Sequence, residues 1–252
     1  ITSIMEIKEV KKYFTTKELI YNYKTTARDA AVKYSMKTQP RDELQRQAIN
    51  FLMRMKDDNY IRERFLSLAT GSGKTYVTMN VISKIQKRSF IIVDTLTLAN
   101  QWRTEFLKHT TLTEADIVIL SGSAIVEKEK KKPTGKVYIA IHRTLGNLIT
   151  SDLNGVNSLM NKLQIGVRVF DEAHVNFKNV CDINALSNVE YSIFLTATPG
   201  RSSFSDDYLY GKVFRRIPYF NGKDITDEKY HTVIMYKMDT LPSLAEQAAT
   251  KT

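Results

Sequence analysis

Three short stretches hold the side chains that could do chemistry. The first is Leu68-Ala69-Thr70-Gly71-Ser72-Gly73-Lys74-Thr75. Gly71 and Gly73 carry no Cβ, so the backbone can close tightly around phosphate oxygens. A helix after the loop would aim its unpaired N–H groups and its positive end at the same anion. Lys74 would reach the terminal phosphates, and Thr75 would ligate Mg²⁺ through its hydroxyl. The usual pattern opens on Gly, and Leu68 stands in that place. The second stretch is Phe170-Asp171-Glu172-Ala173-His174. Adjacent carboxylates suit a metal and a water. Asp171 would hold Mg²⁺, directly or through water, and Glu172 would orient or deprotonate an attacking water. Neighbouring side chains of a strand point to opposite faces. Both carboxylates therefore meet at one site only if the strand ends here. His174 beside them reads as a coupling residue. In the third stretch an apolar strand, Ile193-Phe194-Leu195, runs into Thr196, Thr198 and Pro199. Its two hydroxyls could relay the state of the phosphate site to a second surface.

Such groups need elements to position them. Phe65–Leu68 is a short apolar run before the glycine turn, and residues 74–87 place Val77, Val81 and Ile85 on one helical face. Strands are predicted at Ser89–Val93, Asp116–Leu120, Lys136–Ile141, Ile165–Phe170 and Tyr191–Thr196, with a helix at Thr97–Lys108 and an interrupted helix over residues 143–163. Glu127–Lys132, two Glu and four Lys, reads as a solvated loop. Strands alternating with helices argue for an α/β fold, a mostly parallel sheet covered on both faces. Ligands of such sheets bind at the carboxyl ends of the strands, where all three stretches fall.

Of the 252 residues, 42 % are hydrophobic, enough for a packed core. The 37 Lys and Arg against 27 Asp and Glu leave a formal charge of +10, which favours a polyanionic partner, nucleic acid first. One cysteine, Cys181, excludes a disulfide framework and a Cys-rich zinc module. No apolar run approaches the roughly 18 residues needed to span a bilayer, so no membrane is expected. Residues 1–40 interleave lysines with tyrosines and read as an N-terminal accessory extension of strands and one helix, packed on or beside the main domain. Such a pattern could also stack and hold a single strand.

Together the three motifs resemble the superfamily 2 helicases and translocases, from about Arg41 to about Phe220. Ala69–Thr75 looks like motif I, Asp171–His174 like the DEAH form of motif II, and Thr196–Pro199 like motif III. Thr95, Leu98 and Gln101 match motif Ia, with Asp94 in place of its usual Pro, and Ile139–Leu145 is similar to motif Ic. Arg41 to Gln45, followed by Ala48, looks like the upstream segment in which a Gln recognises adenine. Leu195–Arg201, with Gly211 downstream, looks most like the DNA translocases: restriction-enzyme motors and repair and phage branch-migration helicases. A viral or phage protein acting in the host cell stays open as its origin.

The resemblance implies a RecA-like domain over residues 41–240. Residues 241–252 would begin a linker to a second RecA-like domain that this chain lacks. It implies ATP and Mg²⁺ as cofactors, with Arg41, Gln45, Thr70, Gly71, Ser72, Gly73, Lys74 and Thr75 around the nucleotide and Thr75 and Asp171 at the metal. Lys74, Asp171, Glu172 and His174 would be catalytic. Thr95, Gln101 and Thr144 would touch the nucleic-acid backbone, with Thr196 and Thr198 coupling; for Thr95 and Thr144, capping the following helix is an alternative. Trp102 reads as core. Arg168 interrupts the strand before Asp171; because a buried arginine needs partners, that strand is expected near an exposed face. The implied function is the first motor domain of an ATP-dependent DNA helicase or translocase, cytoplasmic or nucleoid-associated. Alternatives are an RNA helicase with the same chemistry, an ATP-regulated nucleic-acid clamp, or a small-molecule kinase.

Overall fold

The computed structural model describes residues 29–53, 55–56, 59–60, 63–197 and 217–222. Most of the N-terminal extension, Thr198, Pro199, a strand expected at Thr232–Met238 and the linker expected at 241–252 lie outside the described residues. The apolar runs become strands because their β-branched and aromatic side chains pack on both sides of a pleat. They are β1 (Glu63–Ser67), β2 (Ser89–Val93), β3 (Ile117–Leu120), β4 (Val137–Ile141), β5 (Val167–Phe170), β6 (Tyr191–Thr196) and β7 (Tyr219–Asn221). They form one seven-stranded sheet in the order β3-β4-β2-β5-β6-β1-β7, and every neighbouring pair is parallel. Met55–Lys56 and Asn59–Tyr60 form a small antiparallel ladder outside this sheet.

Among the described residues seven α-helices cover the sheet: α1 (Glu43–Met53), α2 (Lys74–Ile85), α3 (Leu96–His109), α4 (Ser123–Lys131), α5 (His142–Ser151), α6 (Gly155–Lys162) and α7 (Phe177–Leu186). Alternate strand residues feed two separate cores. Leu66, Ile91, Val93, Ile139, Val169, Ile193 and Leu195 pack against Ile49 of α1, Val77 of α2 and Trp102 and Phe106 of α3. Phe65, Phe90, Ile92, Tyr138, Phe170 and Phe194 face Val126 of α4, Leu145 of α5, Leu159 of α6 and Ile183 of α7. Burial on both faces is what makes these strands read as continuous apolar runs.

Two expectations are corrected here, and one strand was not foreseen. The charged run Glu127–Lys132 is largely helix, not loop: α4 covers Ser123–Lys131. Its Glu and Lys are good helix formers, Lys130 pairs with Glu127 at 2.7 Å, and Val126 and Glu129 turn inward. Arg168 is not near an exposed face. It is 2 % exposed, in a strand buried along its length. Its guanidinium donates to Ile183 O at 3.2 Å, Ser187 Oγ at 2.5 Å, Ser192 Oγ at 2.9 Å and Asn184 Oδ1. It thereby satisfies the C-terminal end of α7, where carbonyls lack helical partners and a cation is favoured. Finally, Tyr219–Asn221 adds an unforeseen edge strand beside β1.

Residues 29–40 lie against the sheet domain. Ala31 bridges Lys87 and Met36 bridges Thr110, Val32 and Tyr34 are buried, and Lys87 ion-pairs with both Asp29 and Glu190.

Glu129 offers a test of this packing. It is buried and accepts from Thr134 N–H at 2.8 Å, Thr134 Oγ at 3.0 Å and Tyr138 OH at 2.9 Å. Burial pushes its carboxyl up, but these donors outweigh burial and hold it below the ordinary 4.5. A depressed folded-state value contributes stability that is complete above the ordinary value and is lost as pH falls through the depressed one. Glu129→Gln is expected to cost about 1–2 kcal/mol at neutral pH. In urea unfolding experiments stepped into acid, its gap to the parent chain should close.

Candidate nucleotide site

The glycine-rich turn starts where β1 ends. Leu68 N–H donates to Thr196 O at 3.1 Å, carrying the β1–β6 pairing one residue further. The chain then reverses through Gly71 (φ 79) and Gly73 (φ 93), left-handed positions that favour glycine. Ser72 closes the turn, its N–H and Oγ both donating to Ala69 O at 3.2 and 2.5 Å. A Cβ at Gly71 would meet nothing within 4 Å, so the space before the loop is open. α2 begins at Lys74 with no side-chain cap, and its leading N–H groups have the character of an anion cradle. These features fit a phosphate group.

Gln45 braces the loop from α1. It is 4 % exposed. Its Oε1 accepts from Arg41 N–H at 2.9 Å and its Nε2 donates to Ser72 O at 3.1 Å. The Arg41 guanidinium pairs with Asp42 at 3.0 Å. Thr70 is exposed, and Thr75, in the first turn of α2, is half-buried. Lys74 Nζ donates to Leu68 O at 3.3 Å and ion-pairs with Glu172 Oε1 at 3.2 Å.

That pair joins the loop to the carboxylates. β5 ends at Phe170, and Glu172 takes φ 45, a left-handed kink. The strand thus ends where two converging carboxylates require it. Asp171 is held from several sides: its N–H donates to Ile92 O at 2.9 Å, its Oδ1 accepts from Glu172 N–H at 3.1 Å and its Oδ2 from Trp102 Nε1 at 2.7 Å. Burial raises the Asp171 carboxyl above its ordinary 3.8, and the neighbouring Glu172 charge pushes the same way. Glu172 Oε2 lies 3.2 Å from His174 Nδ1 and accepts from Ala197 N–H at 3.3 Å. His174 Nδ1 also lies 2.9 Å from Thr196 Oγ, which is fully buried at the end of β6. Gln45, the loop, Lys74, Asp171, Glu172, His174 and Thr196 therefore form one continuous site.

Among the described residues no three of His, Cys, Asp and Glu converge on a common metal position. Thr75 and Asp171 suit a cation that takes its remaining ligands from phosphate and water, the habit of Mg²⁺.

The remaining residues stand apart. Thr95 caps α3, its Oγ accepting from Leu98 N–H at 3.2 Å, and remains exposed. Gln101 is exposed on the same helix. Thr144 is not a cap: α5 begins at His142 behind Ile141, because β4 passes straight into helix. Thr144 instead lines a cavity of about 240 Å³ with Leu96, Ile119, Ile141, Arg143 and Asn147. Asp94, in the place of the family's Pro, accepts from Asn176. His142 is 2 % exposed and neither ring nitrogen has a hydrogen-bond partner among the described residues; burial lowers its pKa to about 4. Trp102 is core as expected, but it also reaches Asp171. The signal for that contact was the indole itself, since a buried Trp N–H seeks an acceptor.

Residues 37–201 match the family model described as type III restriction enzyme, res subunit. A putative DNA 3'-5' helicase Rad25 of Haloarcula marismortui is 33 % identical over 140 residues, which are 56 % of this chain and 20 % of that protein. The DNA 3'-5' helicase XPB of Kineococcus radiotolerans is 29 % identical over 141 residues, 53 % of this chain and 23 % of that one. The chain thus spans about a fifth of the length of the curated relatives it matches. The helicase domain of Pyrococcus furiosus Hef superposes with a TM-score of 0.52 at 21 % identity, over 73 % of this chain and 38 % of that one. The UvsW helicase of bacteriophage T4 gives 0.53 at 16 % identity, over 83 % and 68 %. These structural likenesses show the fold, a RecA-like α/β domain of the kind helicases carry.

The loop geometry carries a prediction. A methyl group at Gly73 would run into the Gln45 amide and would force an L-residue into the left-handed region, which costs about 1–2 kcal/mol. Gln45 would have to leave Ser72 to make room. Gly73→Ala is expected to lower the melting temperature and to weaken ADP binding in the same sample, measured by calorimetry.

Proposed function

This chain belongs to the type III restriction enzyme res-subunit family and is a first RecA-like domain of the superfamily 2 helicases; we propose that it binds Mg·ATP and the backbone of DNA as the first motor domain of a translocase or helicase. The observation that carries the reading is the meeting of Lys74, Asp171 and Glu172 before an open phosphate loop.

Each residue has a part in this reading. Lys74 exchanges Leu68 O and Glu172 for phosphate oxygens when nucleotide arrives. The N–H groups at the start of α2 and the turn at Gly71 hold the same phosphates. Thr75 and Asp171 would hold Mg²⁺, which would supply positive charge against that developing on the transferred phosphoryl group. Glu172, released from Lys74, orients the attacking water and accepts its proton. His174 touches both Glu172 and Thr196, so a change at Glu172 passes to the end of β6 and to Ala197. Gln45, with Arg41, reads the adenine side of the site.

DNA is favoured over RNA because the relatives carry the names of DNA 3'-5' helicases. The net charge of +10 would supply salt-dependent, sequence-independent affinity. Thr95, Gln101 and Thr144 sit beyond the carboxyl ends of β2 and β4 and are the proposed backbone contacts, with Thr198 in a coupling role. A second motor domain, as the resemblance implies, would supply an arginine finger, which contributes roughly 10³ to 10⁵ in rate.

ATP hydrolysis measured without nucleic acid, with DNA and with RNA tests this. This chain alone should turn over ATP slowly, well below once per second. In a protein that joins it to its second motor domain, DNA should accelerate turnover and Lys74→Ala should abolish the acceleration. Survival of the DNA-stimulated rate in Lys74→Ala would contradict the site. Stimulation by RNA alone would make the protein an RNA helicase with the same chemistry.

A further inference from the structure

Trp102 is the one tryptophan of the chain. It is 2 % exposed, lies on α3 and packs against Phe106 with ring centroids 5.9 Å apart. Apolar packing alone would be served by Phe or Leu. An indole adds one donor, and a buried donor must find an acceptor. Here the acceptor is Asp171 Oδ2, 69 residues away in sequence and on a different element.

We propose that Trp102 is a positioning residue for Asp171: its indole N–H fixes the carboxylate in the orientation that receives a hydrated Mg²⁺ beside the phosphate loop. This rests on Asp171 being the metal-holding carboxylate of the proposed function. A carboxylate offers about four acceptor positions. Trp102 occupies one on Oδ2 and Glu172 N–H one on Oδ1. Two donors on two different oxygens stop rotation about the terminal bond, and the remaining positions are left for the metal, directly or through its water. Removing the indole leaves the bond from the adjacent residue as the restraint on the carboxylate plane. The contact also ties α3 to the metal position. Thr95 caps that helix and Gln101 precedes Trp102 on it, so a displacement of α3 reaches Asp171 through one hydrogen bond. Losing a hydrogen-bond partner of a metal ligand typically lowers metal affinity or activity about 10–100-fold.

The test is titration calorimetry of this chain with ADP, in Mg²⁺ and in EDTA, the ratio of the two affinities being the Mg²⁺ enhancement. Trp102→Phe should keep its affinity for ADP in EDTA and lose the enhancement about tenfold or more. A merely structural role would lower the melting temperature and leave the ratio unmoved, and a folded Trp102→Phe with unchanged enhancement overturns the inference. Asp171→Asn separates the two levels. Loss of enhancement there, with Trp102→Phe normal, refutes the role of Trp102 alone; enhancement intact in Asp171→Asn refutes the metal assignment itself. Trp102 emission gives a second readout that does not depend on a variant folding. In the parent chain it should change with Mg·ADP and not with ADP in EDTA, and an emission indifferent to Mg²⁺ overturns the proposal.

Discussion

Three stacked phenylalanines decide where the chemistry stands. Phe65, Phe194 and Phe170 are register partners on the adjacent strands β1, β6 and β5. Phe170 and Phe194 stack at 5.0 Å and 2° between planes, and Phe65 and Phe194 at 6.3 Å and 14°. A slip of one residue in any of these strands would turn its side chains to the opposite face and break the row. With the register held, Leu68, Asp171 and Thr196 stand together at the carboxyl ends of β1, β5 and β6. The phosphate loop, the carboxylates and the β6 terminus then come within hydrogen-bond reach without a long loop to carry them. The buried sheet lies below, and Lys74, Glu172 and His174 stand above its strand ends.

Those groups form a chain of exchangeable contacts rather than a set of isolated roles. Lys74 lies between a carbonyl and Glu172, Glu172 between Lys74 and His174, and His174 between Glu172 and Thr196. A phosphate that draws Lys74 away leaves Glu172 needing a new donor, and a water is the natural one. In the proposed function, charge neutralisation at the loop would thus be linked to freeing Glu172 as the base, and the same shift would reach β6 through His174. Asp171 is different in kind. It is buried, held by Trp102 and by backbone, and does not take part in the exchange.

Local patterns were legible in the sequence. β2 and β6 run over the residues that the apolar runs indicate, Ser89–Val93 and Tyr191–Thr196. The loop and the DEAH stretch stand at strand ends, as alternation of strand and helix requires. What escaped was nonlocal. Arg168 reads as a misplaced charge until the C-terminus of α7, fifteen residues on, comes back to receive it. The helix of α4 depends on Glu129 being satisfied by Thr134 and Tyr138, which charge density alone does not reveal. Trp102 reads as core, and its second role depends on a residue 69 positions away. Capping stood as an alternative for Thr144 because element boundaries are the least certain part of a sequence reading; the helix begins two residues earlier.

The proposed function makes Lys74 a phosphate-binding group that pairs with Glu172 until phosphate displaces it. A crystal structure of this chain with ADP and Mg²⁺ tests it through one distance. Lys74 Nζ stands 3.2 Å from Glu172 Oε1. With ADP and Mg²⁺ bound, the pair is expected to open and Nζ to move onto the β-phosphate oxygens, with Gly71 and Gly73 wrapped around them. A Lys74–Glu172 pair that stays closed while ADP binds elsewhere would contradict it.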